Sequence, residues 1–298
     1  MRLMKTLFLL ALALLSSGGA LADELLKPFV LASKGPGTLQ EKADAAKSAL
    51  AANGFTVVGS YSPYPTAIVI AVTNDELKAN AAKSEMGGFG AVQRVAVTKV
   101  GDNLEVSFTN PEYLANAYRM KGDLKNVRAA LEKALGKVED FGAKGLTAAQ
   151  LRKYHYMFGM EYFNEPKTLA EYASYEEAVK AVEENLRAGK FGVTKVYRVD
   201  VPGKKETLFG VALHTPDKNA SDAYIMSKID SKEPKSTAHL PYEMLVTDNK
   251  VIALYARFRI AISFPDLSMM GSNSFASIMA APDAINKALR QTASGKAE

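Results

Sequence analysis

The pattern of apolar and polar residues predicts the same succession of elements twice along the chain. Residues 38–61, TLQEKADAAKSALAANGFTVVGSY, align with residues 174–197, SYEEAVKAVEENLRAGKFGVTKVY, at an offset of 136 and without a gap. Each segment has apolar residues at helical spacing for about four turns, then a glycine, then a Phe-x-Val strand. The shared register predicts an internal repeat.

The start of each predicted helix carries the signature of a capping box. Thr38 and Ser174 are each followed three residues later by a glutamate, Glu41 and Glu177. In this arrangement the hydroxyl and the carboxylate each satisfy a free backbone donor at the helix start. We therefore expect helices to begin directly after Thr38 and Ser174.

The correspondence continues beyond these segments, with insertions. Each half has a buried strand, a more polar helix, two strands joined by a turn, and a closing helix. In order, the paired segments are 67–72 and 208–213, 75–85 and 221–230, 92–108 and 242–264, and 123–136 and 282–291. This succession predicts an α+β fold of two related two-layer domains, each with helices packed on a mainly antiparallel sheet.

The first residues predict export. A short basic region with Arg2 and Lys5 precedes an apolar run at 7–15 and the small-x-small site Ala20-Leu21-Ala22. This is typical of a secretory signal peptide, and the apolar run is too short for a membrane span. We expect residues 1–22 to be removed after Ala22, leaving a periplasmic protein with no membrane attachment; an uncleaved anchor is the alternative. The domains would then be 23–145 and 146–298, the first and second repeats.

Composition narrows the functional classes. The chain has no cysteine, which excludes thiol catalysis, thiolate metal sites and covalently attached c-type haem. Its formal charge of +5 includes Arg2 and Lys5 of the predicted signal peptide. The remaining lysines are interspersed with acids, whereas nucleic-acid binding needs a concentrated basic stripe. We therefore expect no nucleic-acid partner.

An aromatic-rich segment, YHYMFGMEYF at 154–163, raises the question of a soft-metal or haem site. It precedes the second capped helix, where the first half has its own first strand, so the repeat predicts a strand here. In a strand His155 and Met157 would face one way and Met160 the other, so the candidate ligands would not converge. We interpret the segment as a packed, aromatic-rich strand, with a metal or haem role as the alternative.

The second half resembles the family catalogued as domain of unknown function 302. The resemblance is carried by KFGVTKVY at 190–197, LFGVALHTPD at 208–217, HLPYEMLVTDNKVIALY at 239–255 and FPDL at 264–267. The first half matches only in outline. The resemblance implies a two-layer fold with helices against an antiparallel or mixed sheet, and a tendency of single domains to pair. It implies no reaction, because the family has no settled activity.

Two groups of residues are candidates for binding. His214 follows one predicted buried strand and His239 precedes another; with Asp217 they form a two-histidine, one-carboxylate set of the kind that holds zinc, copper or iron. Arg257 and Arg259 would project from one face of a strand, where two guanidinium groups can clamp an anion. The alternative is that the histidines bond backbone groups and the arginines lie on a solvated strand face.

Together these features predict an exported, non-enzymatic protein. We expect it to bind a small ligand or a periplasmic protein partner, in the cleft between the repeats or on a surface that forms a homodimer, using His214, His239, Arg257 and Arg259. We expect no cofactor. The alternative function is a metal-binding protein or metal-dependent enzyme that uses His214, His239 and Asp217.

Overall fold

The computed structural model describes residues 24–297, so the predicted signal peptide at 1–22 lies outside the described residues. No helix in the described part of the chain is long and apolar enough to cross a membrane. The elements of the first half are β1 (Phe29–Gly35), α1 (Leu39–Ala52), β2 (Thr56–Tyr61), β3 (Ala67–Thr73), α2 (Asp75–Lys83), β4 (Gln93–Val100), β5 (Asn103–Thr109), α3 (Pro111–Ala117), α4 (Lys125–Leu135) and β6 (Glu139–Phe141).

The second half repeats this succession. After the short helix α5 (Ala148–Arg152) its elements are β7 (Lys167–Glu171), α6 (Tyr175–Ala188), β8 (Val193–Asp200), β9 (Glu206–Leu213), α7 (Asp222–Ile229), β10 (Tyr242–Thr247), β11 (Lys250–Ala253), α8 (Ala256–Ser263) and α9 (Ala281–Ser294). The six-stranded sheet has the order β2-β3-β4-β5-β1-β6 and the five-stranded sheet the order β8-β9-β10-β11-β7. All strand pairings in both sheets are antiparallel. The predicted α+β class is confirmed.

The helices form where the capping and apolar patterns place them. The hydroxyls of Thr38 and Ser174 accept hydrogen bonds from the amides of Glu41 and Glu177, so α1 and α6 begin as predicted. The buried side of α6 consists of residues three or four positions apart, the spacing of one helix face. Helices α1 and α4 pack on the first sheet, and α6 and α9 pack on the second.

Two strand predictions are wrong. Residues 154–163 form an irregular segment, and the first strand of the second sheet is β7, which occupies the edge beside β11. Residues 256–263, predicted as part of a strand, form the helix α8, and β11 ends at Ala253. Helix α8 is buried on nearly all sides, and its side chains enter both apolar cores. The alternation of arginine and apolar residues at 256–260 is the pattern of a half-buried strand, and it misleads here because Arg259 is itself buried and paired with Glu243.

The faces of the two sheets that do not carry α1 and α6 are turned toward each other. Val95 and Val97 on β4 point to the core under α1, so Arg94 and Thr98 point the opposite way. Arg94 bonds to Glu243 on β10, and Thr98 bonds to Thr237. Both partners, Glu243 and Thr237, belong to the second half. Each half therefore buries both faces of its sheet, one under its own helices and one against the other half.

Each half packs the same kind of turn against the sheet of the other half. A short 3₁₀ turn precedes the central strand in each half, at Gly87–Gly90 before β4 and at Thr237–His239 before β10. The first turn packs on β9 and β10 of the second sheet, and the second packs on β3, β4 and β5 of the first sheet. The edge strands β2 and β8 also contact each other. The halves are thus related as the subunits of a twofold dimer are, in which the same surface is used twice.

We predict that Gly59→Ala destabilises the protein. Gly59 lies where β2 meets β8, and a Cβ there would stand 2.2 Å from the backbone oxygen of Val196. Backbone cannot move aside cheaply, so we expect a loss of about 1–3 kcal/mol in the free energy of unfolding, measured by urea denaturation. The control is Gly35→Ala, because a Cβ at Gly35 has no atom within 4 Å. Equal stability of the two variants would contradict the close contact between the edge strands.

Candidate functional site

A cleft lies where loops of the two halves meet. Its volume is about 490 Å³. It is lined by Lys27 and residues 139–144 of the first half and by 229–234, 236, 264, 266–268 and 273 of the second. This volume falls within the roughly 300–1,000 Å³ of small-molecule sites, which occur preferentially at domain interfaces. The cleft is therefore the candidate functional site.

The wall at 229–236 is fixed by carboxylates on both sides of the junction. Asp230 Oδ1 accepts a hydrogen bond from the Ser236 amide at 2.9 Å, which closes the loop on itself. Glu105 on β5 accepts the Lys235 amide at 2.8 Å, and it also accepts Lys34 Nζ at 3.1 Å. The loop belongs to the second half but is held by the sheet of the first, so the shape of the cleft depends on how the halves pair.

The opposite wall is built from the loop after β6 and the segment after α8. The Lys144 amide donates to Asp266 Oδ2 at 2.8 Å, joining the two halves at this end. Phe264 is buried in the wall, and its ring packs against the His239 ring in a T-shaped arrangement, with 5.5 Å between ring centroids. His239 therefore supports the cleft from behind without lining it.

Asp230 is the ionisable group of the cleft with a perturbed pKa. Its Oδ2 is buried and has no hydrogen-bond partner among the described residues. Burial raises the pKa of Asp230 to about 7, although the Ser236 amide and the nearby Lys235 charge lower it. The carboxyl group is therefore only partly ionised at neutral pH, and it contributes less than a full negative charge to the cleft.

Behind the cleft, a buried cluster of charges joins the two sheets. Glu243 Oε1 accepts hydrogen bonds from Arg94 Nη1 at 3.1 Å and from the Tyr197 hydroxyl at 2.5 Å. Glu243 Oε2 accepts from Arg259 Nη1, and Arg259 Nη2 donates to the carbonyl of His239 at 2.7 Å. Arg94, Glu243 and Arg259 are all at most 2 % exposed. One carboxylate thus holds two buried guanidinium groups.

Arg94 and Glu243 occupy equivalent positions in the two sheets. Arg94 is paired with Ala71 on β3, and Glu243 is paired with Gly210 on β9. Ala71 and Gly210 each lie opposite the bulge of the edge strand, β2 or β8. The interface therefore brings equivalent positions together and fills them with opposite charges.

A second buried carboxylate links the halves beside this cluster. Asp222 is fully buried; its Oδ2 accepts the Tyr61 hydroxyl of β2 at 3.0 Å and the Leu213 amide at 3.1 Å. Its Oδ1 has no partner within residues 24–297. Burial raises the pKa of Asp222 to about 7, and the Leu213 amide, the Tyr61 hydroxyl and the Arg259 charge oppose this rise.

The predicted histidine site is not assembled as the sequence suggested. His239 is fully buried, with Nδ1 bonded to Ser263 Oγ at 2.8 Å, and burial followed by the charges of Arg259 and Arg94 lowers its pKa well below the usual value. His214 is exposed, and the carboxylate of Asp217 accepts the Asn219 amide. No group of three or more His, Asp or Glu side chains in the described part of the chain is arranged to hold a metal ion.

The predicted arginine pair is also separated, because the residues lie on a helix rather than a strand. Two positions apart on α8, Arg257 and Arg259 point to different sides. Arg257 is partly exposed and bonds Glu161 at 2.8 Å, whereas Arg259 is buried with Glu243. The prediction that both guanidinium groups share one face is wrong.

The aromatic segment at 154–163 joins elements of both halves without forming a strand. Phe163 stacks on Tyr118 of the first half, with 5.3 Å between ring centroids. The hydroxyl of Tyr154 donates to the Ala261 carbonyl at 3.0 Å, while Phe158 is fully exposed. The expectation of packed aromatic rings holds for Tyr154 and Phe163 and fails for Phe158.

Sequence reasoning missed most of the groups that build this site. Arg94 in VQRVAV and Glu243 in YEMLV are charges inside apolar strands, and such charges are buried only when they are paired. That signal could have identified both residues as partners. No comparable signal marks Lys27, Asp230 or Lys144, which lie in polar segments and meet only through the fold.

Comparisons of the chain with protein-family models, with curated proteins and with solved structures give no match. The resemblance to domain of unknown function 302 therefore stays a prediction based on the motifs of the second half.

We predict that Glu243→Gln lowers the free energy of unfolding by about 3–5 kcal/mol, because two buried guanidinium groups lose their counter-charge. Chemical denaturation measures the change. The control is Glu171→Gln, which removes the same charge from an exposed pair with Lys250 and is expected to cost less than about 1 kcal/mol. Similar losses in both variants would show that Glu243 does not hold the interface.

The pKa of Asp222 predicts a pH-dependent difference between wild type and Asp222→Asn. Because the folded-state pKa of about 7 exceeds the unfolded value, the folded protein binds more protons between pH 4 and 7. Wild-type stability from this group is therefore present at low pH and lost as pH rises through that window. Asparagine cannot ionise, so we expect the variant to gain about 2–3 kcal/mol relative to wild type between pH 5 and pH 8.

Denaturation curves at the two pH values measure this difference, and Asp217→Asn, at an exposed position, is the control. An unchanged difference between wild type and Asp222→Asn would mean that Asp222 is ionised throughout this range.

Proposed function

We propose that the protein is exported to the periplasm and binds a small ligand in the cleft between its two halves. The observation that carries the proposal is the cleft itself, with a volume of about 490 Å³ and lining residues from both halves. A site of this size and position is where a protein of two packed units commonly binds a small molecule. The role is binding, with no reaction assigned.

The construction of the walls supports this proposal. Loop 229–236 is fixed by hydrogen bonds to Asp230 and Glu105, and loop 141–146 by the bond between the Lys144 amide and Asp266. A cleft whose walls are already ordered requires less ordering when the ligand binds, which favours affinity. Phe141, Ile229 and Phe264 add a buried apolar surface to the lining.

Native mass spectrometry of the full chain, expressed in a Gram-negative host and purified from its periplasm, tests the proposal. We expect the chain to begin at Asp23 and to carry an additional small-molecule mass. Ala143→Trp places a large side chain in the lining and is expected to remove that mass. Ala51→Trp, at an exposed position on α1, is the matched control and is expected to retain it.

The two parts of the proposal fail separately. A chain that stays in the cytoplasm with residues 1–22 attached would contradict export. A periplasmic wild-type protein without any bound mass, or with a mass that survives Ala143→Trp, would contradict ligand binding in the cleft.

A further inference from the structure

The charge of the cleft indicates which class of ligand it accepts. Three lysines line it, Lys27 before β1, Lys144 in the loop after β6 and Lys232 in the loop after α7. None of their ammonium groups has a hydrogen bond or ion pair within residues 24–297. Lys27 is half-buried, and a partly desolvated cation without a partner is unfavourable. The cleft therefore has positive charge available for a ligand.

The carboxylates that line the cleft are mostly engaged by the protein. Asp140 accepts two hydrogen bonds from Arg128, at 2.8 and 2.9 Å, and Glu233 pairs with Lys34 at 3.3 Å. Asp266 holds the Lys144 amide. Of the lining carboxylates other than Asp230, Glu139, which is exposed, and Asp266 have no cationic partner among the described residues.

Asp230 does not offset the lysines either. One of its oxygens is bonded to the Ser236 amide, and the other is buried in the wall without a partner. With a pKa raised to about 7 by burial, it carries only part of a charge at neutral pH. The carboxylates without a cationic partner are Glu139, Asp266, whose charge a neutral amide does not cancel, and the partly protonated Asp230. None of them is paired with the three lysines, so the ammonium groups remain available to an acidic ligand.

Beside polar residues such as Ser231 and Asn273, the lining contains apolar side chains. Phe141, Ile229 and Phe264 are nearly fully buried side chains of the wall, and Pro234 and Leu267 extend this surface. These residues come from both halves, as the lysines do. Such a lining suits an apolar group rather than a hydrated inorganic ion, because contact with it removes apolar surface from water.

We infer that the ligand of the cleft is an amphipathic organic anion. Its acid group is held by Lys27, Lys144 and Lys232, and its apolar part contacts Phe141, Phe264 and Leu267. This inference rests on the proposed function and adds the chemical class of the ligand. Ammonium groups form strong, charge-assisted hydrogen bonds with a carboxylate, sulfonate or phosphate group. The apolar residues of the cleft favour a ligand whose remaining part is apolar.

Three probes of equal chain length and different charge test the inference: octanoate, octyltrimethylammonium and 1-octanol. Each is titrated into the ¹⁵N-labelled protein, and binding is followed by the amide signals of Ala143, Ile229 and Lys232, which line the cleft. We expect octanoate to shift these signals with a dissociation constant on the order of tenfold below that of octyltrimethylammonium. We also expect octanoate to bind more weakly as salt is added.

Variants assign the effect to the lysines. The triple variant Lys27→Gln, Lys144→Gln, Lys232→Gln is expected to raise the dissociation constant for octanoate on the order of tenfold. The control variant Lys99→Gln, Lys190→Gln, Lys287→Gln changes the net charge equally at exposed sites outside the cleft. It is expected to bind octanoate as the wild type does. Circular dichroism of both variants confirms that the fold is retained.

The outcomes separate this inference from the proposed function. If octyltrimethylammonium or 1-octanol shifts the cleft signals as strongly as octanoate, the cleft binds ligands and the inference of an anion is wrong. If both triple variants bind octanoate equally, the three lysines do not hold the acid group, and the inference is also wrong. If no probe shifts the cleft signals, the inference is overturned, and the native mass of the periplasmic protein decides the proposed function independently.

Discussion

The charged centre of the interface between the two halves is the buried carboxylate of Glu243. Glu243 lies on the inner face of the second sheet and is the acceptor for Arg94 of the first half, Arg259 of α8 and the hydroxyl of Tyr197. Burying charges without such pairing costs several kcal/mol for each ion, so these contacts stabilise the packing of the two sheets. Gly210 allows this geometry, because a Cβ there would overlap the Tyr197 ring.

This pairing also explains why equivalent positions differ between the halves. A twofold dimer of identical chains brings each residue near its axis against its own copy. Equal charges at the positions of Arg94 and Glu243 would then repel in a buried interface, where the energetic cost is high. Joining the halves in one chain allows one position to hold an arginine and the other a glutamate. The same freedom places Gly59 at the junction with β8, where a side chain would collide with backbone.

The cleft is a consequence of the same pairing. Its walls are loops of different halves, and they are fixed by bonds that cross the junction, Lys235 to Glu105 and Lys144 to Asp266. Its lysines lie far apart in sequence and become neighbours of one cavity only when the sheets are packed face to face. His239 connects the two features, since its carbonyl accepts from Arg259 and its ring supports Phe264. A change in how the halves pair would therefore change the cleft.

The sequence by itself determined the α+β class, both capped helices and the order of most elements, because capping and apolar periodicity are local properties. It also determined that no thiol chemistry is available. Only the tertiary structure decided that 154–163 is irregular and that 256–263 is a helix, because each segment is packed by partners distant in the chain. Only the tertiary structure separated His214 from the buried His239 and Arg257 from Arg259, and brought Lys27, Lys144 and Lys232 to one cleft. Those outcomes follow from how the two sheets pack against each other, and no local sequence pattern determines that packing.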